Sequence, residues 1–147
     1  KMGRDTEALG VYDELLNLSP DNPDVMTNML GLVRKQNPSA ALQRLMELRT
    51  RYPNNPMIAA QAGLASAGMG NYKDGLSYLN IAVGLQPDNP NHYFNMAIMA
   101  EKIGNISLAI SNYEKALQVA AMDSTGRYPI SREMIYDRLS ILRQSSH

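Results

Sequence analysis

Few side chains in this sequence have the type or spacing needed for covalent chemistry. Histidine occurs twice, at His92 and at the last residue, His147, and cysteine does not occur. Without cysteine there is no thiol nucleophile and no disulfide. No His-x-x-x-His pair would set two imidazoles on one helix turn for a metal, and no glycine-rich phosphate loop is present. Gly68-Met69-Gly70 falls at a turn between helical patterns, and Asp13-Glu14 and Asp74 fall on helical faces as solvated surface rather than as a paired acid and base. Asn17-Leu18-Ser19 and Asn105-Ile106-Ser107 match the glycan acceptor pattern, which has meaning only in a secreted eukaryotic protein. The chain reads as no enzyme, with no cofactor and no metal.

The remaining class of function is recognition, and composition narrows the partners. The 147 residues carry 14 basic and 14 acidic side chains, so nothing draws the chain toward nucleic acid or an anionic membrane. No apolar run reaches the roughly 18 residues of a membrane span, and Lys1-Met2-Gly3-Arg4 lacks the apolar stretch of a signal peptide. A protein or peptide partner is the expectation.

The elements that would present such a surface are marked by proline. Ser19-Pro20-Asp21-Asn22-Pro23, Tyr52-Pro53-Asn54-Asn55-Pro56 and Gln86-Pro87-Asp88-Asn89-Pro90 recur at spacings of 33 and 34 residues. A fixed period in that range implies a repeat array. Each interval divides into two helical patterns around a short break: Gly70-Asn71 and Gly104-Asn105 in two intervals, Gln36-Asn37-Pro38 in the shorter first one. Glycine just past a helix end accepts a left-handed backbone, and Asn37 with Pro38 suits an N-cap followed by the first helical position. Antiparallel helical hairpins follow.

Equivalent positions agree across the intervals. The second helices carry Ala8, Ala41, Gly75 and Ala109 at one small position, then Tyr12, Leu45, Leu79 and Tyr113, then Leu15, Leu48, Ala82 and Ala116. The first helices carry Met26, Met29, Leu30 and Val33, then Ala59, Ala62, Gly63 and Ser66, then Tyr93, Met96, Ala97 and Ala100. This pattern resembles the tetratricopeptide repeat over residues 3 to about 121. The resemblance implies an all-α fold, a right-handed superhelix (solenoid) of antiparallel hairpins closed by a capping helix. Residues 1–147 then form one domain: a half repeat at 3–20 holding a second helix alone, repeats at 23–53, 56–87 and 90–121, and a cap at 131–144. The cap has Ser131 to start it, Ile130 and Ile135 as a staple, and Ile135, Leu139 and Leu142 as its apolar stripe, with Arg132, Asp137, Arg138 and Arg143 mainly away from it.

In arrays of that family the first helices line a concave groove, which implies specific inward residues here. They are Asp24, Thr27, Gly31, Arg34 and Lys35, then Met57, Ala60, Leu64 and Ala67, then Asn91, Phe94, Ile98, Glu101 and Lys102. The expected groove is polar and basic at one end and apolar in the middle and far end, and suits an extended peptide or a helix with apolar anchors. The lysine, asparagine and arginine set with which related arrays clamp the carboxylate end of chaperones is not matched, since Thr27, Gly31, Ala60, Leu64, Phe94 and Ile98 stand there. Phe94, the sole phenylalanine, is the expected hot spot.

Two other readings stay open. The N-terminal helix has no partner of its own, so Leu9, Tyr12, Leu15 and Leu16 are expected to leave apolar surface for a homo-oligomer, unless the chain is a fragment of a longer protein. More remotely, the array targets a larger enzyme. Family resemblance alone implies a cytoplasmic or bacterial envelope setting.

Overall fold

The computed structural model describes residue 7, residues 9–14 and residues 22–145. Every regular element among them is an α-helix. In chain order these are α1 (described at residues 9–14), α2 (Pro23–Arg34), α3 (Pro38–Arg51), α4 (Pro56–Gly68), α5 (Tyr72–Leu85), α6 (Pro90–Lys102), α7 (Ile106–Ala121) and α8 (Arg132–Ser145).

The proline phrases work as paired stop and start signals. Tyr52 (φ −128°, ψ 66°) and Gln86 (φ −145°, ψ 70°) leave the helical region ahead of Pro53 and Pro87, because the pyrrolidine ring disfavours α backbone in the residue before it. In the second half of each phrase an asparagine caps the next helix and proline occupies its first turn. The side chain of Asn22 accepts from Val25 N at 3.4 Å, that of Asn55 from Met57 N at 3.0 Å and that of Asn89 from Asn91 N at 3.0 Å. Asn37-Pro38 repeats the device inside the first hairpin, where Asn37 accepts from Ala40 N at 3.2 Å. The other two hairpins turn through Gly70 (φ 82°) and Gly104 (φ 75°), left-handed conformations that favour glycine. There Asn71 N bonds Ser66 O and Asn105 N bonds Ala100 O, both at 2.9 Å.

Packing follows the order of the chain. Each helix from α2 to α7 lies against the next, α8 lies against α7, and the first helices also meet each other, α2 with α4 and α4 with α6. Successive second helices, α3, α5 and α7, do not meet. First helices therefore form the inner layer of the curve and second helices the outer one.

Small residues hold the hairpins close. Ala41, Gly75 and Ala109 are buried, and Gly75 lies against Gly63 of α4; Ala8 lies outside the described residues. The thin helix α4 is closed in upon by its neighbours: a β-carbon on Gly63 would stand 2.9 Å from the Gly75 carbonyl oxygen. Three apolar clusters run along the array, from Tyr12 to Ala65, from Ala59 to Met99 and from Tyr93 to Leu142.

Helix α8 begins as expected, with Ser131 Oγ accepting from Met134 N at 3.3 Å and Ile130 packed on the cluster that contains Ile135. Ile135, Leu139 and Leu142 are buried against the last hairpin. The helix is not a polar lid, however. Met134, Tyr136 and Ile141 are about half exposed, at 50, 58 and 49%.

Candidate functional site

The inner face takes its register from what the first helices bury. On α4, Ile58, Ala62 and Ala65 pack toward the preceding hairpin; on α6 the matching set is His92, buried with its ring bonded to Gln86 of the preceding hairpin, and Met96 and Met99, which pack toward that hairpin. Ile135, Leu139 and Leu142 on α8 repeat the same steps of four and three residues and pack on the hairpin before them. Helix α8 thus sits as a further first helix. One residue before and six residues after the leading member of each set lie on the open inner side. These are Met57 and Leu64 on α4, Asn91 and Ile98 on α6, and Met134 and Ile141 on α8.

Met57 is exposed, while Leu64, Ala67, Phe94 and Ile98 are partly buried with edges at the surface. Phe94 meets Tyr113 edge to face, ring centroids 6.0 Å apart, so a second-helix aromatic fixes its plane. Met134 and Ile141 are exposed at the corresponding positions of α8. The signal was available in the sequence, in the spacing of Ile135, Leu139 and Leu142, but that stripe reads equally well as a terminal cap.

Other expected groove residues lie elsewhere. Thr27 is only 3% exposed and its hydroxyl donates to Pro23 O at 2.6 Å, a bond back into its own helix that leaves nothing for a partner. Ala60 is buried in the cluster of Leu79, Ala82, Met96 and Met99, because α4 has closed on its neighbours. Asp24, Lys35 and Lys102 are exposed, and Asn91 is half-buried. Gly31 is covered by Gln61, a residue with no role in the sequence reading, and Arg34 donates from Nε to Gln61 Oε1 at 2.9 Å.

Glu101 is not a free groove acid. It accepts from Tyr113 Oη at 2.5 Å and pairs with Arg138 of α8, whose Nε lies 3.2 Å from Glu101 Oε2. Burial by itself raises the Glu101 carboxyl, but the bonds from Arg138 and Tyr113 outweigh it and hold the group below the usual carboxylate range. Tyr113 is pushed up, by burial first and then by its bond to Glu101. This triad ties α6, α7 and α8 together beside the apolar stripe.

At the N-terminal end Tyr12 is 1% exposed and packs in the first cluster, and Leu9 is half-buried against it. Tyr12 is therefore not the uncovered face expected of it, whereas Leu9 is partly uncovered; Leu15 and Leu16 lie outside the described residues. The exposed apolar residues there are Val11, Val25 and Leu32, the last at 69%.

Two clefts lie away from the inner face. One of about 810 Å³ is bordered by Lys73, Ile103, Ile110 and Glu114, and one of about 590 Å³ by Tyr93, Lys115, Met122 and Tyr128. Among the described residues no group of three or more histidine, cysteine or acidic side chains could hold a metal ion. No helix among them is long and apolar enough to cross a membrane.

No protein-family model and no curated protein matches the chain. Solved structures do. The Yersinia enterocolitica type III secretion translocator chaperone SycD superposes with a TM-score of 0.70 at 13% identity, covering 82% of this chain and 86% of that one. PcrH, solved with the chaperone-binding region of PopD, gives 0.73 at 15% identity, covering 82% and 91%. MamA (MSR-1) gives 0.68 at 20% identity, covering 84% and 72%. SycD has also been solved with a peptide of the translocator YopD. At these identities the likeness is one of fold: the chain has the tetratricopeptide-like architecture of stacked helical hairpins.

Proposed function

We propose that the chain is a non-enzymatic protein-binding adaptor that holds an extended peptide or an amphipathic helix across the inner faces of its first helices. The carrying observation is the stripe of Met57, Leu64, Phe94, Ile98, Met134 and Ile141, aligned by one register across three helices with apolar side chains at the surface. Support comes from PcrH and SycD, which share the fold and were solved with segments of PopD and YopD. A photo-crosslinking residue placed at Ile98 or Ile141 should capture one protein in the native cell, whereas the same residue at exposed Ser111 on α7 should not. Equal capture at Ser111, or none on the inner face, would sink the reading.

A second reading, self-association through the N-terminal end, is favoured by the exposure of Val11, Val25 and Leu32. Light scattering at tens of micromolar decides it. A dimer or larger species that Leu32→Glu returns to monomer supports it, and a strict monomer removes it.

A further inference from the structure

At the α2 end of the inner face, a guanidinium stands without a counter-charge among the described residues. Arg34 is half-buried, and Gln61 holds it across the seam between α2 and α4. The seat for Gln61 is Gly31, one turn before Arg34: a β-carbon there would stand 3.3 Å from Gln61 Nε2. Gln61 is neutral and takes Nε alone, so the two Nη nitrogens of Arg34 have no hydrogen-bond partner among the described residues. The acids that do form ion pairs are engaged elsewhere, Asp13 with Arg44, Glu101 with Arg138 and Glu114 with Arg143. Burial pushes the Arg34 pKa down, and no acidic neighbour among the described residues opposes it. A partly desolvated cation is unfavourable until an anion meets it, and a guanidinium fork oriented through Nε presents its remaining donors to a carboxylate.

We propose that Arg34, oriented by Gln61, binds an acidic side chain of the partner segment. The site rests on the adaptor reading above and deepens it by naming the partner's chemistry. Packed helices lie roughly 8 to 10 Å apart and an extended chain rises about 3.4 Å per residue. The acid therefore falls about three residues from the apolar residue that packs on Leu64, and about six from the one that meets Phe94.

A random 12-residue peptide library displayed on phage tests this against the wild-type chain, Arg34→Gln and Arg34→Glu. Circular dichroism melts check that each variant is folded. The wild type should enrich peptides with two spaced large apolar residues and one aspartate or glutamate at a fixed distance from them. Arg34→Gln should keep the apolar pair and lose the acid, and Arg34→Glu should select lysine or arginine there. In a synthetic selected peptide, Glu→Gln should weaken binding to the wild type about tenfold and leave binding to Arg34→Gln unchanged within about twofold. The peptide change needs no protein variant, so the wild-type measurement stands if a variant fails to fold. Apolar pairs with no acid preference, or an equal Glu→Gln penalty on both proteins, overturn the Arg34 site and leave the adaptor reading standing. No enrichment at all on the wild type overturns both.

Discussion

Gly75 on α5 lies directly beneath Met99 of the next hairpin. A β-carbon added to Gly75 would stand 2.8 Å from the Met99 sulfur and 2.9 Å from the carbonyl oxygen of Gly63 on α4. One glycine therefore sets both the closeness of its own hairpin and the seating of the next. The sulfur can swing aside; the backbone oxygen cannot.

Gly75→Ala is expected to destabilise the chain by about 1 to 2 kcal/mol, because overpacking costs about 1 to 3 and the better helix propensity of alanine returns up to about 1. Gly84→Ala, in the last turn of the same helix with nothing within 4 Å, should stabilise by up to about 0.5 kcal/mol. Ala109→Leu, at the fully buried equivalent place in the last hairpin, should cost more than Gly75→Ala. Thermal melts compare them, and equal midpoints for Gly75→Ala and Gly84→Ala would falsify the close-approach assignment.

The Glu101 triad makes the attachment of α8 depend on pH. A carboxyl whose folded pKa is depressed contributes stability that is present above its unfolded value, near 4.3, and is lost as pH falls through the folded one. At neutral pH Glu101→Gln should cost about 1 to 2 kcal/mol, since a charge-assisted pair to Arg138 becomes a neutral contact. The gap between the two melting temperatures should close as pH falls below the ordinary glutamate range. A gap that stays constant down to pH 2 would show that the charge of Glu101 does nothing for the fold.

His92 gives a second pH dependence, in a different window. It is buried between hairpins, its Nε2 lies 2.8 Å from Gln86 Oε1, and Gln86 in turn accepts from Asn89 and donates to Tyr128 Oη at 3.0 Å. Burial lowers its pKa, with Asp88 opposing in part. The unfolded chain thus takes up this proton first, so stability is full above about pH 6.5 and declines as pH drops from there toward the folded value. The wild-type melting temperature should fall between pH 7 and pH 5, and His92→Gln, which can still donate to Gln86, should flatten that fall. Parallel curves for the two proteins would place the loss on other groups.

Much of the fold was legible because it is written in local and periodic terms. Caps act over two or three residues, glycine turns over one, and the small positions recur with the hairpin itself, so Asn-Pro pairs, Gly70, Gly104, Ala41 and Ala109 could be placed without coordinates. The inward face was legible only as a face. Thr27 and Ala60 share the helical phase of Phe94 yet are buried, because phase says which way a residue points and not how closely the neighbouring helix approaches.

The amino-acid sequence by itself determined the hairpins, their register and the small contacts between their helices. Tertiary structure alone decided the contacts between hairpins: Arg34 with Gln61, 27 residues apart, Glu101 with Arg138, 37 apart, and Gln86 with Tyr128, 42 apart. It also decided that α8 packs on the last hairpin in the register of a first helix, with Met134 and Ile141 exposed. The physical reason is that a repeat period specifies how each unit folds on itself. How far one unit slides and tilts on the next depends on the summed shapes of both surfaces, and no spacing along the chain records that sum.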